Sequence, residues 1–564
     1  MTREPGVGSW IDRRARVDAR RTALVFGGTR RSYADLAGRV RRLANALRAL
    51  GVERGDRVVW IGPNHPAFLE ALFASATLGA ALAPVSHRLG PDVMDELTAA
   101  AGPRVVLFHG AVRPRALPPG VLAEVEVGQW DDGGSAYERL IARQADAPID
   151  EPVAPEDLCL LPFTSGTTGK PKGVMLTQAN VTWNVVNVLS SVDVRRDDVT
   201  LAVAPFFRTG GTGVNVLPVL FQGGTVVIPE TTTPEEVLGL IDRHRVTIGF
   251  GNPDLLDALV RSPLWPTADL TSLRLFVTGG APVPGRLLRA YHERAIDLLQ
   301  GYGLSEAAPL VSVLDVENGR RKPGSAGHPA MFVDTRIAGA TGTAGTAGRI
   351  GELLVRGPNV MAGYWNRPDA TREIFDQDGW LHTGDAACVD AEGDLFIVGR
   401  MEDAYSVAGE VVHPGLAERL LLRHEWVAEA CVLGGEQGSV AYVVRAEGAP
   451  AEIEAELLAL CRNRLSPSAC PAAIRFVENL PRNANGKIVR RELYRLEAAK
   501  AEAERHGTPA PHPPSPRAKS GKARHRSAVG RRRLSHHDPP PCGATGSSAA
   551  QDDRRVAAPS GPAD

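Results

Sequence analysis

Short apolar strands alternate with amphipathic helices along much of this chain, and this alternation restricts its fold more than any other feature. The run TVVIPE at 225–230 is followed by PEEVLGLIDRHR at 234–245 and then by VTIGFGNP at 246–253. A strand, a helix and a second strand in that order indicate a parallel sheet covered by helices. The apolar run GDRVVWIGPN at 55–64 is typical of an interior strand. The expected fold class is therefore α/β, with helix-covered β-sheets.

The length and charge of the chain are those of a large protein with no general affinity for polyanions. Its 564 residues, 43% of them hydrophobic, suffice for a large core and for more than one domain. A formal net charge of -1 gives no overall attraction to nucleic acid or to an anionic membrane. The apolar run at 71–85 is shorter than the roughly 20 residues that cross a bilayer, so we expect no transmembrane segment. A buried helix that leads into a core strand is expected there.

The N-terminal sequence and the cysteines together predict a cytoplasmic protein. The opening residues MTREPGVGSW contain no apolar signal core, so we expect no secretion. Six cysteines are scattered without CxxC or metal-ligand spacing, which is typical of a reduced compartment.

The stretch FTSGTTGKPKGV at 163–174 has the composition of a loop that holds a polyphosphate. Its glycines allow a tight turn that brings backbone N–H groups against an anion, its hydroxyl groups add donors, and its lysines add positive charge. Its spacing differs from a Walker loop, which has four residues between the first glycine and the glycine-lysine pair. By itself the stretch also fits a flexible surface turn. The candidate phosphate ligands are Thr164, Ser165, Gly166, Thr167, Thr168, Gly169, Lys170 and Lys172.

Six further motifs follow this loop in a fixed order. They are VTGGAPV (277–283), QGYGLSEAA (300–308), GELLVRGPNVMAGYWNRPDAT (351–371), GWLHTGD (379–385), GR (399–400) and PRNANGKIVRREL (481–493). Together with the loop they resemble the adenylate-forming superfamily, which includes acyl-CoA synthetases, luciferases and peptide-synthetase adenylation domains. The order and spacing match from about Ser32 to about Leu493, and a chance match to the whole series is not credible.

The resemblance implies a division of the chain into domains. A large N-terminal AMP-binding domain of helix-covered sheets is expected at 1–399, a hinge at 400–402 and a small, mobile α+β domain at 403–497. The remaining residues, 498–564, are rich in proline, serine, arginine and glycine, so we expect a disordered tail. Its basic cluster at 519–533 fits a solvated tail better than a specific nucleic-acid site.

The reaction that the resemblance implies has two steps and requires ATP, Mg²⁺ and CoA. A carboxylic acid, either fatty or otherwise apolar, displaces pyrophosphate from ATP to form an acyl-adenylate, and the acyl group then passes to the thiol of CoA. The acid is already ionised at neutral pH, since a carboxyl pKa lies near about 4, so little base catalysis is needed. The difficulty is that one anion approaches another, and positioned cations and N–H donors therefore carry the catalysis.

The resemblance also assigns roles to single residues. Lys487 in PRNANGK corresponds to the family's catalytic lysine, which bridges the carboxylate and the α-phosphate. Ser305 corresponds to the residue facing that phosphate, Glu306 to the magnesium ligand and Glu402 to the pivot of the small domain. The residues that correspond to the adenine slot and the ribose contacts are Gly279, Gly280, Ala281, Tyr302, Asp385 and Arg400. Taken singly, each has an ordinary alternative, such as a helix cap or a surface ion pair.

The acyl pocket and the thiol face depart from the family's usual letters. The pocket motif PFFRTGG at 205–211 contains Phe207, Gly211 and, where relatives often have histidine, Arg208. We expect Arg208 to point towards solvent or the ATP phosphates, and the alternative is that it pairs with a second carboxylate or another polar group on the substrate. The motif contains no aspartate for a substrate amino group, which disfavours an amino acid. On the thiol face Gly409 is retained, but the preceding residue is alanine instead of glycine.

Two alternatives to a CoA ligase fit the sequence. An enzyme of the same chemistry that loads the phosphopantetheine arm of a separate carrier protein is compatible with the altered thiol face. A nucleotide-binding regulatory protein that has lost turnover also retains this fold, although the presence of Lys487, Glu306, Asp385 and Arg400 argues against it. The acyl chain length, the oligomeric state and the pathway are not encoded in any pattern that we recognise.

Overall fold

The computed structural model describes residues 6–110, 112–130, 133–165, 171–339, 348–407, 409–435, 438–482 and 488–495. The whole of the expected tail, 498–564, therefore lies outside the described residues, as does Lys487. The strands are β1 (Thr22–Phe26), β2 (Thr29–Ser32), β3 (Arg57–Ile61), β4 (Ala81–Val85), β5 (Val105–His109), β6 (Ala123–Val127), β7 (Leu158–Leu160), β8 (Phe163–Ser165), β9 (Pro171–Thr177), β10 (Val199–Leu201), β11 (Thr225–Val227), β12 (Ile248–Gly251), β13 (Leu275–Gly279), β14 (Asp297–Gly303), β15 (Leu310–Val313), β16 (His328–Pro329), β17 (Asp334–Ala338), β18 (Gly351–Arg356), β19 (Gly363–Tyr364), β20 (Leu381–Val389), β21 (Leu395–Arg400), β22 (Tyr405–Val407), β23 (Glu410–Val412), β24 (Val427–Gly435), β25 (Gly438–Arg445) and β26 (Ala473–Phe476).

Helices cover these strands and connect many of them. They are α1 (Trp10–Asp18), α2 (Tyr33–Ala49), α3 (Pro66–Thr77), α4 (Pro91–Ala101), α5 (Ala136–Ala142), α6 (Gln178–Ser191), α7 (Thr209–Gly213), α8 (Val216–Gln222), α9 (Pro234–His244), α10 (Pro253–Arg261), α11 (Gly285–His292), α12 (Val316–Arg321), α13 (Pro368–Ile374), α14 (Gly415–Leu422) and α15 (Glu454–Arg462). Short 3-10 turns lie at Val7–Ser9, Ser305–Ala307 and Met401–Asp403.

The two largest sheets confirm the α/β fold class. One has nine strands in the order β16-β15-β14-β13-β12-β10-β11-β1-β2, and its strands from β14 to β1 pair in parallel. The predicted strand, helix and strand at 225–253 are β11, α9 and β12. The two strands β11 and β12 lie on either side of β10 in the sheet. The other has eight strands, in which β3 lies between β4 and β5 as an interior strand. The alternation of apolar strands and amphipathic helices therefore predicted the parallel sheets correctly.

Local sequence explains where several of the helices begin. Ser32 accepts a hydrogen bond from the backbone of Asp35, and Asp35 accepts one in return, so a capping box starts α2. His65 caps α3, which has proline in its first position. The apolar run at 71–85 forms the buried end of α3 and then β4, as expected. No helix within the described ranges is both long and apolar enough to span a bilayer.

A four-stranded antiparallel sheet, β17-β18-β20-β21, completes the first part of the molecule, which we call the large lobe. The largest apolar core joins all three sheets, since it contains Trp60, Val277 and Leu353. The elements from β22 onwards form what we call the small lobe, with the hairpin β22-β23, the sheet β24-β25-β26 and a core of its own around Leu421. The boundary at 400–402 stays a prediction.

Candidate active site

A cleft of about 1520 Å³ lies at the carboxyl ends of the parallel strands of the nine-stranded sheet and extends between the two lobes. The last residues of β12, β13 and β14, which are Gly251, Gly279 and Gly303, all line it. Open α/β sheets bind their ligands at this edge, because loops diverge there and leave a crevice. The fold therefore places the candidate site where such sheets carry their ligands.

Three predicted ribose and adenine residues meet at one side of the cleft. The Tyr302 hydroxyl donates to Asp385 Oδ2 at 2.5 Å, and Arg400 Nη1 lies 3.2 Å from Asp385 Oδ1. Strand pairing explains the meeting, since Asp385 on β20 is directly opposite Arg400 on β21. Burial, together with the neighbouring Asp385 carboxylate, raises the pKa of Tyr302 well above its ordinary value, so the phenol stays protonated and donates. A carboxylate is an acceptor of the kind that ribose hydroxyls require.

The adenine-slot glycines lie on β13 and the turn that follows it. A Cβ at Gly279 would lie 2.6 Å from the carbonyl oxygen of Gly301, so the close approach of β13 and β14 requires glycine there. Gly280 has φ +85°, which also favours glycine. With Ala281 and Tyr302 they line the cleft, so the four residues predicted for adenine are brought together.

Gln300 is a cleft residue to which the sequence analysis gave no role. It precedes the slot on β14, and its Oε1 atom is buried without a hydrogen-bond partner among the described residues. A buried acceptor without a partner costs free energy unless a ligand supplies a donor. The exocyclic amino group of adenine is such a donor. The sequence did contain a signal for this role, because Gln300 is the first residue of the motif QGYGLSEAA.

A second group of polar residues forms what we call the phosphate corner, made of Thr164, Lys172, Ser305, Glu306 and Tyr364. Tyr364 donates from its hydroxyl to Glu306 Oε1 at 2.8 Å, and the ammonium of Lys172 lies 4.8 Å from the centre of the Tyr364 ring. Burial, followed by the Glu306 charge, raises the pKa of Tyr364, which keeps it a donor. The β9–β19 pairing positions Tyr364, a residue to which the sequence analysis assigned no role.

The phosphate loop begins and ends at a β-hairpin in this corner. Strand β8 pairs with β9, with Thr164 opposite Lys172, and the Thr164 hydroxyl donates weakly to the Lys172 carbonyl at 3.5 Å. Thr209 donates to Ser305 Oγ at 3.3 Å, so the start of α7 also contacts this corner. The other predicted phosphate ligands, Gly166, Thr167, Thr168, Gly169 and Lys170, lie outside the described residues, as does the side chain of Ser165.

The donors of the phosphate corner fit a magnesium ion that is held together with a nucleotide. Magnesium prefers hard oxygen ligands and usually takes one or two carboxylates, with phosphates and water filling its other positions. Glu306 supplies one carboxylate, which accepts a hydrogen bond from the Tyr364 hydroxyl. The backbone carbonyl of Glu306 accepts a second hydrogen bond, from the Met361 N–H. Within the described ranges no cluster of three or more acidic, histidine or cysteine side chains forms a separate cage. A site completed by ATP phosphates is the arrangement that these donors suit.

The acyl residues Phe207, Arg208 and Gly211 line the cleft beyond the phosphate corner. Gly211 lies in α7 so close to the Pro205 carbonyl oxygen that a Cβ would overlap it. Arg88 lies over the Phe207 ring at 5.9 Å. Burial, and then the nearby Arg88 charge, lower the pKa of the Arg208 guanidinium. The apolar Phe250, which the sequence analysis passed over, lines the same end.

The hinge and thiol-face residues lie at different distances from this site. Glu402, in the 3-10 turn Met401–Asp403, lines the cleft next to Arg400. Gly409, with φ +83°, lies in the β22–β23 turn and is not among the residues that line the cleft. Ile488, which directly follows Lys487 in the sequence, does line it. Among the described residues, the structure thus brings the predicted nucleotide residues together at the cleft and leaves Gly409 outside its lining.

Comparison with known protein families decides the relationship. The model of the AMP-binding enzymes matches residues 11–365, and the model of the AMP-binding enzyme C-terminal domain matches residues 417–487. The chain belongs to the AMP-binding enzyme family. The resemblance inferred from the motifs is therefore confirmed.

Several relatives of this AMP-binding enzyme are CoA ligases, and the chain matches them over nearly their whole length. A feruloyl-CoA synthase from Amycolatopsis sp. is 43% identical over 501 residues, which cover 87% of this chain and 99% of that relative. The long-chain-fatty-acid–CoA ligase FadD13 of Mycobacterium tuberculosis is 32% identical, covering 86% of this chain and 97% of the relative. The anthranilate CoA ligase AuaEII, solved with anthranoyl-AMP, has a TM-score of 0.81 at 27% identity, covering 89% and 99%.

These relationships confirm the predicted reaction. This AMP-binding enzyme is an acid–CoA ligase, which converts a carboxylic acid and ATP into an acyl-adenylate and pyrophosphate and passes the acyl group to CoA. ATP, Mg²⁺ and CoA are the cofactors and co-substrates of this reaction. The regulatory alternative without turnover is not favoured. The roles of individual site residues and the identity of the acid are separate questions.

Proposed function

We propose that the acid which this ligase activates is aromatic, with its carboxylate on a short side chain. The acyl end of the cleft carries this proposal, because the ring of Phe250 there packs closely against the glycine at position 210 of α7. The relative with 43% identity is named for an aromatic acid, and the fatty-acid ligase is less similar at 32%.

Gly210 and Phe250 form what we call the acyl wall. The Cε1 and Cζ atoms of Phe250 lie 3.2 Å from the position that a Cβ on residue 210 would occupy. Gly210 does not have a positive φ, so the ring, and not the backbone, favours glycine at this position. With Phe207 and Leu304, which also line the cleft, the wall presents aromatic and aliphatic carbon to the ligand. A planar ring can stack there, and such aromatic pairs are worth about 0.5–1.5 kcal/mol beyond their buried area.

The nucleotide residues support the first half-reaction as proposed roles. Asp385 accepts from the ribose hydroxyls, while Tyr302 and Arg400 hold its carboxylate in place. Lys172, Thr164 and Ser305 supply positive charge and hydroxyl donors to the phosphates, and Glu306 holds the Mg²⁺ that neutralises them when it is bound. The catalytic demand is electrostatic, since charge builds on the phosphoryl oxygens and on the departing pyrophosphate.

The acid is identified by exchange of labelled pyrophosphate into ATP across a panel of acids. We expect ferulic, coumaric, benzoic and arylacetic acids to include the best substrate, and straight-chain fatty acids to support weaker exchange. Phe250→Ala should raise the KM for the best aromatic acid by roughly tenfold, because it removes the stacking surface. The matched control is Val214→Ala, a smaller apolar truncation in the same cleft. Stronger exchange with a long-chain fatty acid than with every aromatic acid would refute the proposal.

Lys487 is proposed to bridge the attacking carboxylate and the α-phosphate. Lys487→Ala should lose most adenylation and should still transfer the acyl group from supplied acyl-adenylate to CoA, because the charge is needed only while two anions approach. Single-turnover rates of the two half-reactions measure this difference. An equal loss in both half-reactions counts against the role.

Carrier proteins are the alternative acceptors to examine. Ser406 and the alanine at 408 replace the family's usual lysine and glycine on the thiol face, which bears on how a pantetheine arm docks. Thioester yield with CoA should exceed that with any carrier protein offered at equal concentration. We also place the enzyme in the cytoplasm, on the support of its scattered cysteines.

A further inference from the structure

We propose that Asp254 and Gly415 are positioning residues, which hold the small lobe in the arrangement used for adenylation. The inference rests on the proposed function, because it takes Lys487 as the group that must reach the cleft. Two independent contacts between the lobes carry it, an ion pair and a close backbone approach.

The ion pair joins the lobes through Arg482. Arg482 Nη2 lies 2.8 Å from Glu429 of β24, within the small lobe, and its Nη1 lies 3.5 Å from Asp254 in the first turn of α10, in the large lobe. All three side chains are partly exposed, and all three residues line the cleft. Rotation of the small lobe would keep the contact with Glu429 and break the contact with Asp254. Asp254 therefore stabilises only the present arrangement.

Arg482 is also the residue that leads into the segment containing Lys487. Arg482 and Ile488 form an isolated β-bridge, and the Val489 N–H donates to the Pro481 carbonyl at 2.8 Å. The residues on either side of 483–487 are thus held together, and Arg482 and Ile488 line the cleft. Through Arg482, Asp254 fixes the point from which the lysine segment departs.

The backbone contact lies at the first residue of α14. A Cβ at Gly415 would overlap the Val398 carbonyl group on β21, and the backbone N of Gly399 would lie 3.4 Å away. Both neighbours are backbone atoms of the large lobe, so no side-chain movement can relieve the overlap. Arg419, one turn further along α14, donates to the Ile397 carbonyl at 3.2 Å. The small lobe can therefore sit against β21 in this way only with glycine at 415.

The test measures both half-reactions separately in Asp254→Asn and Gly415→Ala, using the substrate found in the exchange panel. Asp254→Asn should slow single-turnover adenylation roughly two- to fivefold, as expected for a partly exposed ion pair, without changing the KM for acid or ATP. Transfer from supplied acyl-adenylate should be unchanged or faster. Gly415→Ala should give the same pattern with a larger loss of adenylation rate, even though alanine normally favours a helix.

Controls separate positioning from general damage. Asp257→Asn changes the same charge on the same helix, but Asp257 pairs with Arg261 and Arg286 inside the large lobe, so the ratio of the two rates should stay at the wild-type value. Asp254→Glu should restore the ratio. Added salt should lower the wild-type adenylation rate towards that of Asp254→Asn, because the pair is screened.

The proposal and the function beneath it fail in different ways. If the wild-type enzyme supports exchange and both variants keep the wild-type ratio of half-reactions, the positioning roles are wrong. If Asp254→Asn raises the KM for the acid at unchanged rate, Asp254 is a substrate contact and the inference is likewise overturned. Absence of exchange with the wild-type enzyme and every acid instead contradicts the proposed substrate class.

Discussion

At the scale of single residues, the site depends on protonated phenols that hold carboxylates. Tyr302 and Tyr364 each donate to one acid, Asp385 and Glu306 respectively. Burial is the largest cause of the raised pKa of both phenols, and the acid that each contacts adds to it. Each phenol thereby orients the carboxylate that it contacts, and Arg400 also holds that of Asp385.

A buried histidine at the start of α3 makes the stability of the large lobe depend on pH. His65 is 1% exposed, caps α3 through Nδ1, and leaves Nε2 without a partner among the described residues. Burial, and then the neighbouring His109, lower the pKa of His65 from 6.5 to about 3. The folded form therefore remains neutral while the unfolded form binds a proton, so stability falls as the pH drops below 6.5 and continues to fall towards 3.

We expect the enzyme to lose about 2 kcal/mol of its unfolding free energy between pH 7.5 and pH 5 through this one group. Urea denaturation at several pH values measures the loss. His65→Asn keeps a capping side chain without a titrating ring, so its stability should change less over the same range. An identical pH slope in the variant would exclude His65 as the cause.

At the scale of elements, glycines set how closely α7 and the strands approach the cleft. Gly211 and Gly210 are adjacent in α7 but meet different obstacles, the Pro205 carbonyl and the Phe250 ring. A backbone carbonyl cannot move aside, whereas a ring at 3.2 Å can shift by a few tenths of an ångström. The same helix therefore contains one position that tolerates a methyl group and one that does not.

Gly211→Ala should cost roughly 1–3 kcal/mol of stability and displace the start of α7, because it overpacks a fixed backbone contact. We expect at least a roughly tenfold fall in kcat/KM for the acid, since small displacements near reacting groups are costly. Gly210→Ala is the matched neighbour and should cost less in both measurements. Equal effects of the two substitutions would contradict the steric explanation.

At the scale of the whole molecule, we propose that the two half-reactions use two arrangements of the lobes. The cleft extends between the lobes, and Glu402 lies in a 3-10 turn between β21 and β22. Rotation about such a turn concentrates the backbone change in a few residues. Glu402 as the pivot is still a prediction, and its position in this turn gives it a physical basis.

Glu402→Pro should impair thioester formation far more than adenylation. A 3-10 turn has φ near about −50 to −70°, and proline fixes φ near about −65°, so the substitution suits the present arrangement and resists rotation. Single-turnover assays of both half-reactions measure the difference. Glu402→Ala should leave both rates near the wild type, and a proline variant with two unchanged rates would move the pivot elsewhere.

The sequence by itself determined the chemistry and the sheet architecture of this protein. Strand and helix periodicity is local, so the unit β11, α9 and β12 and the interior strand β3 were predicted correctly. The motif letters around Tyr302 and Asp385 fixed the family, because they encode a catalytic apparatus that is read in order along the chain. The loop 166–170 and Lys487 keep their predicted roles as proposals.

Only the tertiary structure decided which residues from distant segments meet. The contact of Phe250 with Gly210, the hydrogen bond of Tyr364 to Glu306, and the bridge from Arg482 to Asp254 each join elements that are remote in sequence. Packing and strand register set such contacts, and neither leaves a periodic pattern in a single chain. The sequence therefore identified the reaction, whereas the fold identified the wall that we propose selects the acid and the contacts that we propose position the lobes.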